Sequence, residues 1–204
     1  MGAVTGAPRR AAIVLAGGRA TRLGGADKAS VDLGGTTLIE GVLAAVRACE
    51  PVVVVGPAHL GSAGVRIVRE DPPFGGPVAA VAAAVAVLPT EIDESWVLAC
   101  DLPRASEAVE LLSAAPIPAG SDAVVLRDAA GFRQPLAGRY RVAALRRAID
   151  ALPRTDGVAM RRLTDALRVH EVQDVQGASI DLDTWHDVAA YRATIAAPAR
   201  KERP

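Results

Sequence analysis

The chain has 204 residues, half of them hydrophobic, which is enough for one large domain or two small ones with a sizeable core. Its 23 basic residues balance 23 acidic residues, so no basic excess is present to neutralise a nucleic-acid backbone, and nucleic acid is excluded as a partner. Aromatic residues make up only 3%, which predicts a core of aliphatic and small side chains.

The cysteine and histidine content favours a reducing compartment and excludes a zinc site. Cys49 and Cys100 are too few for a disulfide scaffold and lack metal-ligand spacing, and the histidines are scattered. Residues 1–9 lack the apolar stretch of a signal peptide, and the longest apolar run, residues 78–88, is too short to cross a bilayer. We therefore expect a cytoplasmic protein without a membrane partner.

The first half of the chain alternates short apolar runs with helical patterns. Thr37 and Glu40 have the spacing of a helix capping box, and Pro77 suits the first turn of a helix. The elements predicted here, in chain order, are a strand at 11–15, a helix after Thr37, strands at 52–55 and 66–68, and a helix at 77–88.

The second half continues the same alternation. Asp128 and Gly131 mark a tight turn between two apolar runs. The predicted elements are a strand at 96–99, a helix at 106–114, strands at 123–126 and 134–139, helices at 141–151 and 158–167, a strand at 168–172 and a helix from Thr184 to about residue 195.

This order of elements predicts the fold class. Strands that alternate with helices form a mostly parallel sheet covered by helices on both faces, a three-layer, Rossmann-like α/β fold. We expect one domain over residues 10–196, with a flexible N-terminus at 1–9 and a flexible tail at 197–204.

A glycine-rich segment follows the first predicted strand, where residues 15–28 read LAGGRATRLGGADK. Glycines allow backbone N–H groups, here those of residues 16–18, to approach a polyanion closely. Arg22 and Lys28 add cations, and arginine can hold phosphate oxygens bidentately. The segment matches neither the Walker A nor the dinucleotide pattern. It predicts a triphosphate cradle; an ordinary glycine turn with two solvated cations is the alternative.

Asp101 follows another apolar strand, in the run Cys100-Asp101-Leu102-Pro103. The carboxyl ends of strands are where ligands bind in open α/β sheets, and a carboxylate there suits Mg²⁺. A turn or helix-capping aspartate is the alternative. Cys100 is expected to be a small buried neighbour, because nothing nearby suggests a base that would activate its thiol.

The pattern LAGG-x3-R-L-GG-x-DK resembles the signature of the molybdenum cofactor guanylyltransferases, within the nucleotidyltransferase superfamily. The resemblance implies a fold of the nucleotide-diphospho-sugar transferase type and Mg²⁺-dependent transfer of GMP from GTP to molybdopterin, with release of pyrophosphate. It implies catalytic roles for Arg22, Lys28 and Asp101, the last as a metal ligand. The residues implied to contact the nucleotide are Leu15, Ala16, Gly17, Gly18, Lys28, Gly56, Asp71, Gly76 and Asp101.

Residues 69–77, REDPPFGGP, form a shaped loop that leads into the N-terminus of a predicted helix, where anions are favoured. The loop resembles the family's segment that closes over the base and ribose. That resemblance implies a nucleotide contact for Asp71, whose carboxylate can accept the two N–H donors of guanine. Capping of the loop is the alternative role.

Residues 180–184, IDLDT, resemble the family's N-[VI]-N-[TD]-P element, whose second asparagine lies near the metal. Asp183 stands in place of that asparagine and Trp185 in place of proline, so Asp183 is a second expected metal ligand. A helix cap formed by Asp183 or Thr184 with Asp187 is the alternative.

Residues 134–140, QPLAGRY, resemble the family's HPLxALY segment, which lies toward the acceptor, with Gln134 in place of histidine. Arg133 and Gln134, together with Arg161 and Arg162, are the expected acceptor contacts. For the last two, a solvated position on a helix surface is the default interpretation.

Two other functions are compatible with these motifs. One is a different nucleotidyltransferase on the same fold, which uses CTP with molybdopterin or acts on a sugar phosphate; Gly18 and the pair Asp27-Lys28 argue against it. The other is a non-catalytic nucleotide-binding module, suggested by the departures at Gln134, Asp183 and Trp185. The expected partners are GTP and molybdopterin, and other proteins of molybdenum cofactor biosynthesis or molybdoenzymes.

Overall fold

The structure is a computed structural model that describes residues 7–18 and 27–196. Its strands are β1 Arg10–Leu15, β2 Val52–Val55, β3 Val65–Val68, β4 Glu94–Ala99, β5 Ala123–Arg127, β6 Arg133–Arg141 and β7 Val169–Gln173. They form one sheet in the order β3-β2-β1-β4-β6-β5-β7. Only β6 is antiparallel to its neighbours, β4 and β5, which confirms the predicted α/β fold with a mostly parallel sheet.

The helices are α1 Leu38–Ala45, α2 Pro77–Ala86, α3 Ala105–Ala114, α4 Val142–Asp150, α5 Met160–Thr164 and α6 Trp185–Ala196. The predicted capping box forms at α1, where the N–H of Thr37 donates to Glu40 at 2.7 Å and the N–H of Glu40 donates to the Thr37 hydroxyl at 3.4 Å. Within the described ranges, no helix combines the length and the apolar character needed to cross a bilayer.

The helix predicted at residues 158–167 is wrong in length, because only Met160–Thr164 is helical. The Thr164 hydroxyl donates to the carbonyls of Met160 and Arg161 at 3.2 and 3.0 Å, and so competes for backbone acceptors of the helix. The next N–H groups, of Ala166 and Leu167, then bond three residues back, as in a 3₁₀ turn. The helix ends there.

The core lies on both faces of the sheet. Along β1, Ala12 and Val14 face one side, where α1 and α3 pack, and Ile13 and Leu15 face the other, where α2, α4 and α5 pack. This alternation follows from the two-residue period of a strand, and burial on both faces explains why the parallel strands are continuous apolar runs.

The topology brings chemically active segments to one edge of the sheet. The parallel strands β1, β2, β4, β5 and β7 all end at this carboxyl edge. Because β6 runs in the opposite direction, its first residues, rather than its last, lie at the same edge. The loops after β1, β4 and β7 and the start of β6 therefore face a common region.

Candidate active site

The loops after β1 and β4 are neighbours because the two strands are paired in register. Leu15 pairs with Ala99, and the N–H of Cys100 donates to the carbonyl of Leu15 at 3.0 Å. The glycine-rich segment and Asp101 therefore leave the sheet side by side.

Lys28 is held at this edge by a short 3₁₀ helix, Lys28–Ser30. Asp27 caps it by accepting the N–H of Ala29 at 3.2 Å and the hydroxyl of Ser30 at 2.7 Å. The same carboxylate lies 2.6 Å from Nε2 of His59. These contacts fix the backbone of Lys28 and leave its side chain to reach into the site.

The ammonium of Lys28 contacts two carboxylates from distant parts of the chain. Its Nζ lies 2.5 Å from Oδ2 of Asp101 and 2.6 Å from Oδ1 of Asp183. Burial opposes the charge of Lys28, but the bonds and attraction to these carboxylates outweigh it and raise its pKa. Lys28 is therefore a charged ammonium, and the three expected site residues of this group lie together.

A third carboxylate, Asp181, joins this group and was not expected from the sequence. One oxygen from each of Asp101, Asp181 and Asp183 lies within 4.8 Å of the others. The spacing Asp181-Leu182-Asp183 carried the signal, because alternate residues of an extended segment point to one side while Leu182, 3% exposed, points into the core. We define these three residues as the carboxylate cluster.

The carboxylate cluster fits a divalent cation of the magnesium type. Its donors are hard carboxylate oxygens from three residues, which is the chemistry that Mg²⁺ prefers. The pKa of Asp181 is raised, first by partial burial and then by the charges of Asp101 and Asp183. A bound cation would relieve this repulsion, and Asp101, Asp181 and Asp183 are the residues that would hold it.

The loop that carries Asp181 and Asp183 is anchored by Asp174, which the sequence did not single out. Asp174 follows β7 and is fully buried. Its carboxylate accepts the N–H of Ala178 at 2.8 Å and both the N–H and the hydroxyl of Ser179 at 2.7 Å. Burial alone would raise the pKa of Asp174, but these bonds outweigh it and lower the pKa.

The predicted helix cap after this loop is formed by Thr184 and Asp187. The N–H and hydroxyl of Thr184 donate to Asp187 at 2.8 and 2.7 Å, and the N–H of Asp187 donates back to the hydroxyl at 3.2 Å. Capping is therefore the role of Thr184, whereas Asp183 faces Lys28.

The residues expected to contact the nucleotide in the first loop differ in their exposure. Gly17 and Gly18 are exposed, whereas Leu15 and Ala16 are buried. The N–H of Ala16, which the sequence assigned to the phosphate cradle, donates to the carbonyl of Val55 at 2.8 Å. A side chain on Gly56 would lie 3.1 Å from the carbonyl oxygen of Ala16, so glycine there is explained by close packing of β2 against the loop.

The loop of residues 69–77 is held from inside by Glu70, which the sequence did not single out. Glu70 is buried, and its Oε1 accepts the N–H of Phe74 at 2.9 Å. The adjacent Asp71 is exposed and can meet a ligand. Gly76 caps α2 with φ of 87°, a conformation that favours glycine, and presents the N-terminus of that helix.

The expected acceptor residues lie in two places. Arg133 and Gln134 begin β6 at the carboxyl edge, where Arg133 pairs with Glu171 and the amide of Gln134 donates to Asp128 at 2.7 Å. Arg161 and Arg162 are exposed on α5, which packs on the face that carries α2. Arg133 and Gln134 therefore lie at the edge that holds Asp101.

Cys100 and Arg22 belong to the two sequence motifs that also contain Asp101 and Lys28. Cys100 is buried, and burial together with the nearby charge of Asp101 raises the pKa of its thiol to about 12, so it is an inert neighbour. Arg22, expected to hold phosphates, lies outside the described residues.

Comparison with known proteins places this arrangement among the nucleotidyltransferases. Residues 12–172 match the family described as MobA-like NTP transferase domain. A molybdenum cofactor guanylyltransferase of Pseudomonas putida is 33% identical over 177 residues, which cover 83% of this chain and 87% of the relative. The chain is thus a nucleotidyltransferase.

Two solved structures share the fold. Molybdopterin-guanine dinucleotide biosynthesis protein A from Archaeoglobus fulgidus superposes with a TM-score of 0.66 at 22% identity, over 91% of this chain and 98% of that one. A protein from Mycobacterium sp. strain JC1 superposes with a TM-score of 0.71 at 23% identity, over 92% and 96%. By its match to the family model and to these relatives, this chain belongs to the MobA-like NTP transferase family.

Proposed function

We propose that the enzyme transfers GMP from GTP to molybdopterin and releases pyrophosphate in a Mg²⁺-dependent reaction. The observation that carries this proposal is the convergence of Lys28 and the carboxylate cluster beside the exposed glycines of the first loop. The choice of substrates is supported by the named activity of the Pseudomonas putida relative. The same proposal places the reaction in the cytoplasm, where GTP is available and Cys49 and Cys100 stay reduced.

The chemistry is an in-line displacement at the α-phosphorus of GTP. A phosphate oxygen of molybdopterin forms a bond to the α-phosphorus. The bond between the α-phosphorus and the α,β-bridging oxygen breaks, and pyrophosphate leaves with the electron pair. The acceptor phosphate is already an anion near neutral pH, so the site needs no strong base. Positioning and charge neutralisation are then the main sources of catalysis.

Residues at the ends of β1 and β4 and in the loop after β7 are proposed to supply the positioning and the charge neutralisation. Gly17 and Gly18 leave room for phosphates at the end of β1, and the ammonium of Lys28 can offset charge on the leaving pyrophosphate. Asp101, Asp181 and Asp183 would hold Mg²⁺, which supplies charge neutralisation to the phosphates when bound. Arg22 is assigned the same task as Lys28 by its place in the motif.

We propose that residues after β3 recognise the base, and that residues of β6 and α5 recognise the acceptor. Asp71, exposed in the loop before α2, is the proposed acceptor of the guanine N–H donors. Arg133 and Gln134, at the start of β6, are proposed to face molybdopterin, and Arg161 is proposed to reach its phosphate from α5.

The proposal is tested by incubating the purified enzyme with molybdopterin, Mg²⁺ and one of GTP, CTP or ATP. We expect pyrophosphate release and a product of the mass of the guanine dinucleotide with GTP alone. Preferential release with CTP would reassign the base. Nucleotide binding without product from any of the three would contradict transfer. The Asp101→Asn variant serves as the blank for contaminating activity.

A further inference from the structure

Lys28 and a divalent cation need the same carboxylates. The ammonium lies 2.5 Å from Asp101 and 2.6 Å from Asp183, two of the three residues of the carboxylate cluster. The side chains of Lys28 and Asp101 are only 18% and 17% exposed, so little water is present to screen their charges. The contact is therefore a strong one, and it engages two of the three carboxylates that a metal would coordinate.

The two cations also repel each other. A divalent cation held by this cluster would lie close to an ammonium bonded to the same carboxylates. Three carboxylates carry three negative charges, of which Lys28 already offsets one. Both the sharing of these carboxylates and the repulsion weaken the hold of the cluster on a metal while Lys28 stays in place.

The position of Lys28 offers its side chain a second partner. Its backbone is fixed by the Asp27 cap, and its carbonyl accepts the N–H of Val31 at 3.2 Å. Its four-carbon side chain can rotate without moving that backbone. The phosphates of a nucleotide, placed at the end of β1 beside Asp101, are anions that the ammonium can reach instead.

We propose that Lys28 and the divalent cation compete for Asp101 and Asp183, so that the cluster holds the cation firmly only when nucleotide phosphates draw Lys28 away. This inference rests on the nucleotide and metal sites of the proposed function, and it is independent of the base and the acceptor. Its consequence is an order of events: metal and nucleotide bind together, and metal alone binds weakly.

The test measures Mn²⁺ binding to the purified full chain without nucleotide, by electron paramagnetic resonance of the free ion. Replacement Lys28→Met removes the charged ammonium and keeps an unbranched side chain that is only one atom shorter. We expect this variant to bind Mn²⁺ at least ~10-fold more tightly than the unmodified enzyme. The Lys28→Arg variant, which keeps the charge, is the matched control and is expected to keep the weak affinity.

A second measurement adds a non-hydrolysable GTP analogue. The analogue should increase the Mn²⁺ affinity of the unmodified enzyme by a larger factor than that of Lys28→Met, because only the former gains by the departure of the ammonium. Circular dichroism and thermal melting check that each variant is folded, and Lys28→Gln replaces Lys28→Met if the latter does not fold.

Equal or weaker Mn²⁺ binding by the folded uncharged variant would overturn the inference. No acceptor and no turnover enter these measurements. An enzyme that fails to join GTP to molybdopterin would therefore still report on the competition, and the two proposals fail separately.

Discussion

The N–H of Leu182 donates to the carbonyl oxygen of Asp101 at 3.2 Å. This bond joins the loop after β7 to the loop after β4, although the two residues are far apart in the chain. Because Leu182 stands between Asp181 and Asp183, the bond places both carboxylates beside that of Asp101. The geometry of the carboxylate cluster therefore depends on backbone contacts as well as on charge.

Asp174, which anchors the loop that carries Asp181 and Asp183, is expected to make the free energy of unfolding depend on pH. Asp174→Asn replaces one acceptor of the buried carboxylate by an amide donor, and at pH 7 it should lower the free energy of unfolding by about 1–3 kcal/mol. Because the folded pKa of Asp174 lies below the unfolded value of about 3.9, its contribution is complete above that value and is lost as the pH falls through the folded pKa.

The measurement is urea unfolding of both proteins between pH 7 and pH 3. The difference between unmodified enzyme and Asp174→Asn should shrink toward the acid end. Glu110→Gln, an exposed change on α3, is the control and should show little difference at any pH. A difference for Asp174→Asn that stays constant with pH would contradict the role given to its charge.

Removal of the Asp101 carboxylate is expected to abolish most of the activity. Asp101→Asn keeps the size of the side chain but weakens its contact with Lys28 and its hold on a cation, and it should lower the rate at saturating Mg²⁺ at least ~10²-fold. Glu107→Gln on α3, whose partner is Arg104, is the matched control and should keep its rate. Near-normal turnover by Asp101→Asn would exclude the metal role.

The two cysteines are expected to differ in reactivity. Burial raises the pKa of both thiols, to about 12 for Cys100, so very little thiolate is present at pH 8. With a disulfide reagent, the half-buried Cys49 should react slowly in the folded enzyme and Cys100 only after unfolding. The time course is measured on Cys49→Ser, and rapid labelling of the folded variant would show that Cys100 is accessible.

Replacement of two glycines by alanine, one in a crowded and one in an open position, tests how tightly the core is packed. A side chain at Gly138, on β6, would lie 2.8 Å from Val125 and 2.9 Å from Tyr140, so Gly138→Ala should destabilise the fold by about 1–3 kcal/mol. Gly41, inside α1, has no atom in the way, and Gly41→Ala should stabilise the fold by about 0.5–1 kcal/mol. Urea unfolding measures both, and equal effects would contradict this view of the core.

Much of the fold could be predicted because strands and helices leave local signals. The apolar runs at residues 11–15 and 52–55 mark parallel strands buried on both faces, and Thr37 with Glu40 marks a helix start. The end of α5 could not be predicted in the same way, because it depends on where the hydroxyl of Thr164 finds an acceptor.

The site could be predicted only in part, because contacts between distant residues leave no local signal. Asp101 stands at the end of an apolar strand, and that position suggested its place at the edge. The contact of Lys28 with Asp101 and Asp183 joins residues up to 155 positions apart, so the motif suggested phosphates as its partners instead. Arg139 illustrates the same limit: it is buried over the ring of Trp96, a partner on another strand.

The reversed direction of β6 has a consequence for how the chain assembles. β4 pairs with β6 rather than with β5, so the side of β4 away from β1 stays unpaired until residues 133–141 have been synthesised. A nascent chain that ends after β5 has four adjoining strands, β3-β2-β1-β4. In this chain β4 is an edge strand with unpaired backbone N–H and C=O groups, which can pair with a strand of another molecule. The strand that brings Arg133 and Gln134 to the edge of the site is thus also the one that joins the two parts of the sheet during biosynthesis.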